Sequence, residues 1–265
     1  MKIALIALVT LVAFSSCNNK FAKVLKSKDY EYKLKKADEY FSQKKYNQAQ
    51  ALYIVLFPVF KGSDKFESLY YNYAYCSYYQ ESYNDAANLF KGFLEIFPTS
   101  PKAEEMAYMY AYSFYMQSPA IDLQQVNTAK VIGMMQTFIN THAGSKRIKD
   151  ATDIIDKCRK KLETKEYNNA QLYYKISQYR AAAICFANLL NDYPESPNGE
   201  TYKLMAIKAY YQFAKLSIID KQQERFEKVV TEYNDFTDRF PDSKLRKEAE
   251  SYNNLSLNHI KAIQK

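Results

Sequence analysis

The hydrophobic pattern falls into two parts. Ile3 to Phe14 is a continuous apolar run in which only Thr10 intervenes; beyond it, apolar and polar residues are interspersed and the chain is punctuated at four sites. Phe97-Pro98-Thr99-Ser100, His142-Ala143-Gly144-Ser145, Tyr193-Pro194-Glu195-Ser196 and Phe240-Pro241-Asp242-Ser243 each place a serine two residues after a proline or its stand-in. Proline there ends the preceding helix. The serine is then predicted to cap the next helix by accepting from its free N–H groups. Breaks at intervals of roughly 40 to 50 residues, with two helices between them, predict a helical solenoid. Five glycines in 265 residues argue against β-hairpins and glycine-rich loops, so the fold class is all-α. Residues 244–262 are predicted as a last helix whose scattered charges suit a solubilising cap.

Internal anchors refine the repeat. In residues 163–196, Ala170 and Tyr173 lie in a first helix; Ala182, Phe186 and Pro194 mark a second. Ala74, Ala86, Phe90 and Pro98 have the same offsets, as do Ala37, Tyr40, Ala49 and Tyr53, with Lys61 in the proline position. These offsets resemble the tetratricopeptide consensus, in which small residues let helices A and B approach and an aromatic fills the gap between neighbouring pairs. Tyr46-Asn47, Tyr83-Asn84 and Tyr179-Arg180 each open a helix B. About five helix pairs are predicted. The third has extra residues in its connection, around Ser118 to Val126, and the fifth a comparable excess near Ser217 to Gln223. His142-Ala143-Gly144-Ser145 lacks the proline, which predicts a looser end to the third repeat.

The first segment bears on compartment. Lys2 supplies a short positive region, and Ile3–Phe14 has the length of a signal-peptide core, too short to span a bilayer as a helix. It stops at Phe14-Ser15-Ser16-Cys17. Small residues just before a cysteine resemble the lipobox of bacterial lipoproteins, with Phe14 where leucine is more usual; the alternative is an ordinary signal peptide cut before a chance cysteine. The lipobox reading makes residues 1–16 a signal peptide, Cys17 the lipidated residue, residues 17–29 a flexible tether and residues 30–265 the repeat domain. Asn18 is not the aspartate that retains lipoproteins in the inner membrane, and no acidic run follows, so the resemblance implies an outer-membrane, periplasm-facing protein.

The net charge of +8 is spread over basic residues interleaved with acids, a solvated surface rather than a nucleic-acid site. Cys76, Cys158 and Cys185 stand singly among apolar or helical residues, so at most one disulfide could form and buried thiols are the plainer reading. The two histidines, His142 and His259, have no second ligand at metal spacing, and no nucleophile, phosphate or dinucleotide motif is present. No metal, no cofactor beyond the lipid and no enzymatic activity are expected. Glu104-Glu105 reads as a helix-start charge pair.

Tyrosine stands out, at 26 residues against no tryptophan. Aligning Ala74 with Ala111 puts Tyr71, Tyr75 and Tyr78 in register with Tyr108, Tyr112 and Tyr115, at spacings that share one helical face. Two readings stand: an amphipathic trough for an extended peptide, or side chains packed between adjacent helices.

Three features together, the lipobox, the five repeats and the segment Ser118-Pro119 through Asp122-Leu123, Gln125 and Ala129, resemble the BamD (ComL-type) family of the outer-membrane β-barrel assembly machinery. Lys165-Glu166-Tyr167, Ala170, Tyr173-Tyr174, Tyr179-Arg180-Ala181-Ala182 and Asp192-Tyr193-Pro194 are similar to its fourth repeat. The resemblance implies two partners: a BamA-like barrel-assembly protein, bound by the C-terminal half (146–265), and unfolded outer-membrane β-barrel proteins, engaged by the N-terminal half (30–145). Tyr71, Tyr75, Tyr78, Tyr108, Tyr112 and Tyr115 are then candidate client-binding residues, and Tyr179, Arg180 and Asp192 candidate partner-docking residues; the Arg180 fork could take a carboxylate bidentately. The alternatives are an envelope lipoprotein scaffolding peptidoglycan or division proteins, or a glycan binder, which would favour tryptophan and long loops.

Anchoring has a direct test. Cys17→Ala should yield a soluble or unprocessed chain on fractionation; a processed, salt-resistant chain in the outer membrane would remove the lipoprotein assignment.

Overall fold

The computed structural model describes residues 20–264. Cys17 and the signal segment lie outside them. Among the described residues there are twelve helices and no strand: α1 (residues 20–26), α2 (Tyr30–Ser42), α3 (Tyr46–Phe60), α4 (Phe66–Tyr79), α5 (Tyr83–Ile96), α6 (Ala103–Met116), α7 (Val126–Thr141), α8 (Ile148–Lys175), α9 (Tyr179–Asp192), α10 (Gly199–Lys215), α11 (Ile219–Arg239) and α12 (Arg246–Ile263). They make five A/B pairs, α2/α3 to α10/α11, with α12 last. No described helix is long and apolar enough to cross a membrane. Residues 20–26, expected in a flexible tether, are instead helical. Val24 is buried in the core and Phe21 meets Tyr40 edge-on at 5.8 Å, so apolar burial orders this segment.

The chain forms two compact units, one of residues up to Ala120 with Gln124–Cys158, the other of Ile121–Leu123 with Arg159–Lys265. The division falls inside α8 rather than at the turn near residue 145. Ala151, Ile154, Ile155 and Cys158 join the first core, whereas Ala170 joins Ala182, Ala183 and Phe186 in the second unit. The alanine anchors behave as their spacing predicts: Ala37, Ala49, Ala74, Ala86, Ala170 and Ala182 are fully buried. Phe90 and Phe186 fill the gaps, with Val131 and Met135 at the corresponding places of α7.

Three A-to-B turns share one device. Lys44, Glu81 and Ser177 take left-handed φ values of 59°, 61° and 61°. The next amide in each donates back five residues, Lys45 to Tyr40, Ser82 to Ser77 and Gln178 to Tyr173, which closes the helix end. The third pair uses residues 117–125 instead, where the sequence places its insertion. The fifth corrects an expectation. Only Leu216–Ile218 separate α10 from α11, and the excess residues lengthen the helices themselves, to 17 and 21 residues.

The four punctuation sites correct another. Their serines are not N-caps. Each sits three residues before its helix, where Oγ accepts the amide two residues on: Lys102 at 3.0 Å, Arg147 at 3.0 Å, Asn198 at 3.1 Å and Leu245 at 3.0 Å. An intervening turn displaces the helix start, so the hydroxyl hydrogen is left to donate elsewhere. Ser100 gives it to Glu67 of α4 at 2.9 Å, Ser145 to Glu104 of α6 at 2.6 Å, and Ser196 to Glu163 of α8. Each clasp ties a new repeat to helix A of the one before. His142 is no looser than its counterparts. Its backbone, φ −130° and ψ 56°, matches Phe97, Tyr193 and Phe240, and its ring stacks on Phe138 at 4.8 Å as Phe97 packs on Phe93 at 5.0 Å.

Unit 2 carries a buried ion cluster between α10 and α11. Lys203, 5% exposed, meets Glu232 at 2.5 Å and also Asp235; Lys228 meets Glu232 at 2.6 Å. Burial alone would raise the Glu232 pKa, but hydrogen bonds from Lys203 and Lys228 outweigh it and hold the carboxyl below its ordinary value. Glu163 is likewise lowered: burial opposes, and hydrogen bonds from Ser196 and Tyr202 prevail. A carboxylate with a lowered folded pKa stabilises fully above its unfolded value, about 4.3 for Glu, and less as pH falls through the folded value. Unit 2 should therefore lose stability below about pH 4. Glu232→Ala, which leaves Lys203 short of a partner, should cost on the order of 3 kcal/mol at neutral pH and flatten the acid limb, read by denaturant melts across pH.

Candidate protein-binding surfaces

Helices α4 and α6 carry the six tyrosines singled out by spacing. All six join one aromatic array. Tyr71 lies 4.8 Å from Tyr75, which lies 6.2 Å from Tyr78; Tyr78 reaches Tyr112 across the helix boundary at 6.3 Å. Tyr112 stacks on Tyr108 at 5.7 Å and contacts Tyr115 at 5.6 Å. The array has a floor and a rim. Tyr75 and Tyr108, each 6% exposed, are packed inward against Phe90 and Phe138, while Tyr71, Tyr78, Tyr112 and Tyr115 are half-buried. Equal spacing put all six on one helical face, but the neighbouring B helix covers part of that face.

One carboxylate organises the floor. Glu105 accepts from Tyr75 OH at 2.7 Å and Tyr71 OH at 3.2 Å, and the Arg147 guanidinium lies 3.4 Å from it. Arg147 also lies over the Tyr108 ring at 4.8 Å, and Lys102 over Tyr71 at 4.8 Å, cation–π contacts that hold the ring planes. Glu104-Glu105 is thus more than a helix-start charge pair, since each carboxylate binds a neighbouring element. Burial pushes the Tyr78 and Tyr108 phenols up to about 12, and raises those of Tyr71 and Tyr75. They stay neutral hydrogen-bonding groups throughout the physiological range.

The array continues past the residues found by alignment. Tyr79, 48% exposed, stacks on Tyr46 at 4.6 Å and lies 5.6 Å from Tyr75; Phe41 meets Tyr46 at 5.7 Å. Tyr46 reads in the sequence only as a turn signal, and Tyr79, on the same side of α4 as Tyr75, has Met116 rather than a tyrosine as its counterpart in the next repeat. The doubled Tyr78-Tyr79 was the available clue. The surface of the array therefore runs from Phe41, Tyr46 and Tyr79 in the first and second repeats to Tyr78, Tyr112 and Tyr115.

The three residues singled out in unit 2 do not come together. Arg180 opens α9 and Asp192 ends it, which along a helix is about 18 Å. Asp192 is exposed, and Tyr179 packs edge-on against Tyr174 at 5.2 Å. Arg180 is exposed, has no ion pair among the described residues, and lines a cleft of about 500 Å3 with Tyr210, Phe213, Arg225 and Lys228, together with the carboxylates Glu224 and Glu227. There the Arg225 guanidinium lies 4.1 Å from the Phe213 ring and Lys228 lies 5.6 Å from Tyr210. Beside Phe213 on the chain, Leu216, Ile218 and Ile219 are 69%, 71% and 73% exposed. Two aromatic rings, bare aliphatic side chains and an Arg180 without an ion pair suit a protein segment that is apolar and carries a carboxylate for that arginine. The sequence pointed to Arg180 but not to this company, because the helices that supply it are separated along the chain.

Among the described residues no group of His, Cys, Asp or Glu could hold a metal ion. His142 and His259 serve as flat rings, the latter stacked on Phe226 at 4.5 Å. Burial raises the Cys76 thiol to about 12, which keeps it protonated.

Residues 27–225 match the family described as outer membrane lipoprotein, YfiO. Two solved structures are similar at low identity. The yeast Sti1 TPR2AB domain, in a structure described as a pHSP90 complex, is 12% identical, with 86% of this chain and 98% of that one covered and a TM-score of 0.40. A Podosopora anserina putative kinesin light chain structure, described by its nearly identical TPR-like repeats, is 10% identical, with 82% and 100% covered and a TM-score of 0.33. No curated protein matches the chain.

Floor and rim separate by mutation. Tyr75→Ala should cost about 3 kcal/mol or more, as buried aromatics do, whereas Tyr79→Ala and Tyr112→Ala should shift the melting midpoint far less. Equal losses at all three would mean the rim is packed core.

Proposed function

This chain belongs to the YfiO family of outer membrane lipoproteins, the BamD type, and we propose that it serves outer-membrane β-barrel assembly as a non-enzymatic binding component. Its surface array from Phe41 to Tyr115 carries the reading. Half-exposed tyrosines give an extended, partly apolar peptide flat contact area and hydroxyl partners at low entropic cost. Unfolded outer-membrane proteins, whose strands alternate apolar and polar residues, are ligands of that chemistry. The buried pair Tyr75 and Tyr108, with Glu105, fixes the ring positions; the client contacts belong to Tyr71, Tyr78, Tyr79, Tyr112 and Tyr115. Repeats four and five dock the BamA-like partner, centred on Arg180, Arg225 and Phe213 rather than on Asp192. Lipid on Cys17 holds the protein at the periplasmic face of the outer membrane.

Photocrosslinkers placed at Tyr79 and Tyr112 should capture peptides from barrel-protein C-termini, and Tyr79→Ala with Tyr112→Ala should reduce capture with little change in melting. Arg180→Glu with Arg225→Glu should lower co-purification of the barrel-assembly protein at least about tenfold, each lost charge-assisted contact removing about 1.5–3 kcal/mol. Depletion of the chain should lower the level of outer-membrane β-barrels. Unchanged barrel levels would sink the proposal and favour the scaffolding alternative.

A further inference from the structure

Helix α1 is basic on one side and docked on the other. At about 100° per residue, Phe21, Val24 and Leu25 share an arc, Lys23 and Lys26 fall on the opposite one, and Lys20 flanks the first beside Val24. Val24 is buried and Phe21 packs on Tyr40, so the apolar arc faces the core of unit 1. Lys20, Lys23, Lys26 and Lys28 are all exposed and have no ionic partner among the described residues. No carboxylate occurs between Cys17 and Lys28; the first is Asp29, whose side chain caps α2 by accepting from Tyr32 at 2.9 Å. Residues 20–28 therefore carry four positive charges and no negative one.

We propose that α1 is an electrostatic second attachment, seating unit 1 on an anionic phospholipid bilayer through Lys20, Lys23, Lys26 and Lys28. Distance favours the bilayer over an acidic protein. Lys20 is three residues from Cys17 and so can lie at most about 10 Å from it, close to the screening length of about 8 Å at physiological salt. This step rests on lipidation at Cys17. Acyl chains on that residue bring the four charges into the range where anionic headgroups attract them. The lysines then determine which side of unit 1 meets the surface, something a flexible acyl anchor does not set.

The test uses residues 18–265, which keep every described residue and carry no acyl group, and co-sedimentation with vesicles of phosphatidylethanolamine and phosphatidylglycerol. Binding is expected at low salt, lost near 1 M salt and weak on pure phosphatidylcholine. At roughly fivefold per lysine, the Lys20/Lys23/Lys26/Lys28→Gln variant should bind about 600-fold less. The matching Lys→Arg variant should bind as the parent does. A control with Lys157, Arg159, Lys244 and Lys247 changed to Gln has the same charge loss and should retain most binding. Equal loss in that control, binding untouched by the α1 substitutions, or equal binding to phosphatidylcholine would each overturn the proposal. Anchoring by Cys17 is judged separately, on the full chain, by the fractionation of Cys17→Ala, so the two can fail independently.

Discussion

Everything in this fold depends on how closely helices A and B approach. At Ala37, Ala49, Ala74, Ala86, Ala170 and Ala182 the side chain ends at a methyl group and is fully buried. A larger residue there would force the pair apart. Close approach leaves a wedge between successive pairs, and a large side chain has to fill it, which Tyr53, Phe90 and Phe186 do with no exposed surface. The spacing of small and large residues is thus a single constraint with two parts. It fixes which face of each A helix is covered by the next B helix, and so which tyrosines remain at the surface.

That constraint also explains what the sequence revealed. Alanine and aromatic offsets gave the pairs and their order, because each offset is a local consequence of helical geometry. The insertion before α7 was legible for the same reason, since matched motifs either side of it fell out of register. The serine turns were misread because composition does not distinguish a cap from a hydroxyl one turn earlier. The fifth repeat was misread because extra residues in a helix and in a loop shift the register equally. The helix at 20–26 was missed because its only buried side chain is Val24, with Phe21 partly covered, and short amphipathic segments carry little periodic signal. The division of the two units inside α8 had no local sign, since an unbroken 28-residue helix presents one pattern throughout.

The aromatic array and the Arg180 cleft were half legible. Tyr71, Tyr78, Tyr112 and Tyr115 were found by register, yet register also chose Tyr75 and Tyr108, whose hydroxyl and ring are held by Glu105 and Arg147 from a neighbouring turn. Tyr79 and Tyr46 were overlooked because their stacking joins helices of different repeats. In unit 2, Arg180 acquires meaning only beside Phe213 and Arg225, more than thirty positions later in the chain. Contacts across repeats are what a repeat protein uses to recognise ligands, and they are what one-dimensional spacing represents least well.

The serine clasps point backwards. Ser100 finds Glu67 33 positions earlier, Ser145 finds Glu104 41 earlier, and Ser196 finds Glu163 33 earlier. In each, the acceptor belongs to a helix already complete when the donor's turn forms. A chain that emerges amino-terminus first presents every carboxylate before the serine that needs it. Each repeat can therefore close on its predecessor during emergence, without waiting for the remainder, so that the order of synthesis and the order of assembly coincide.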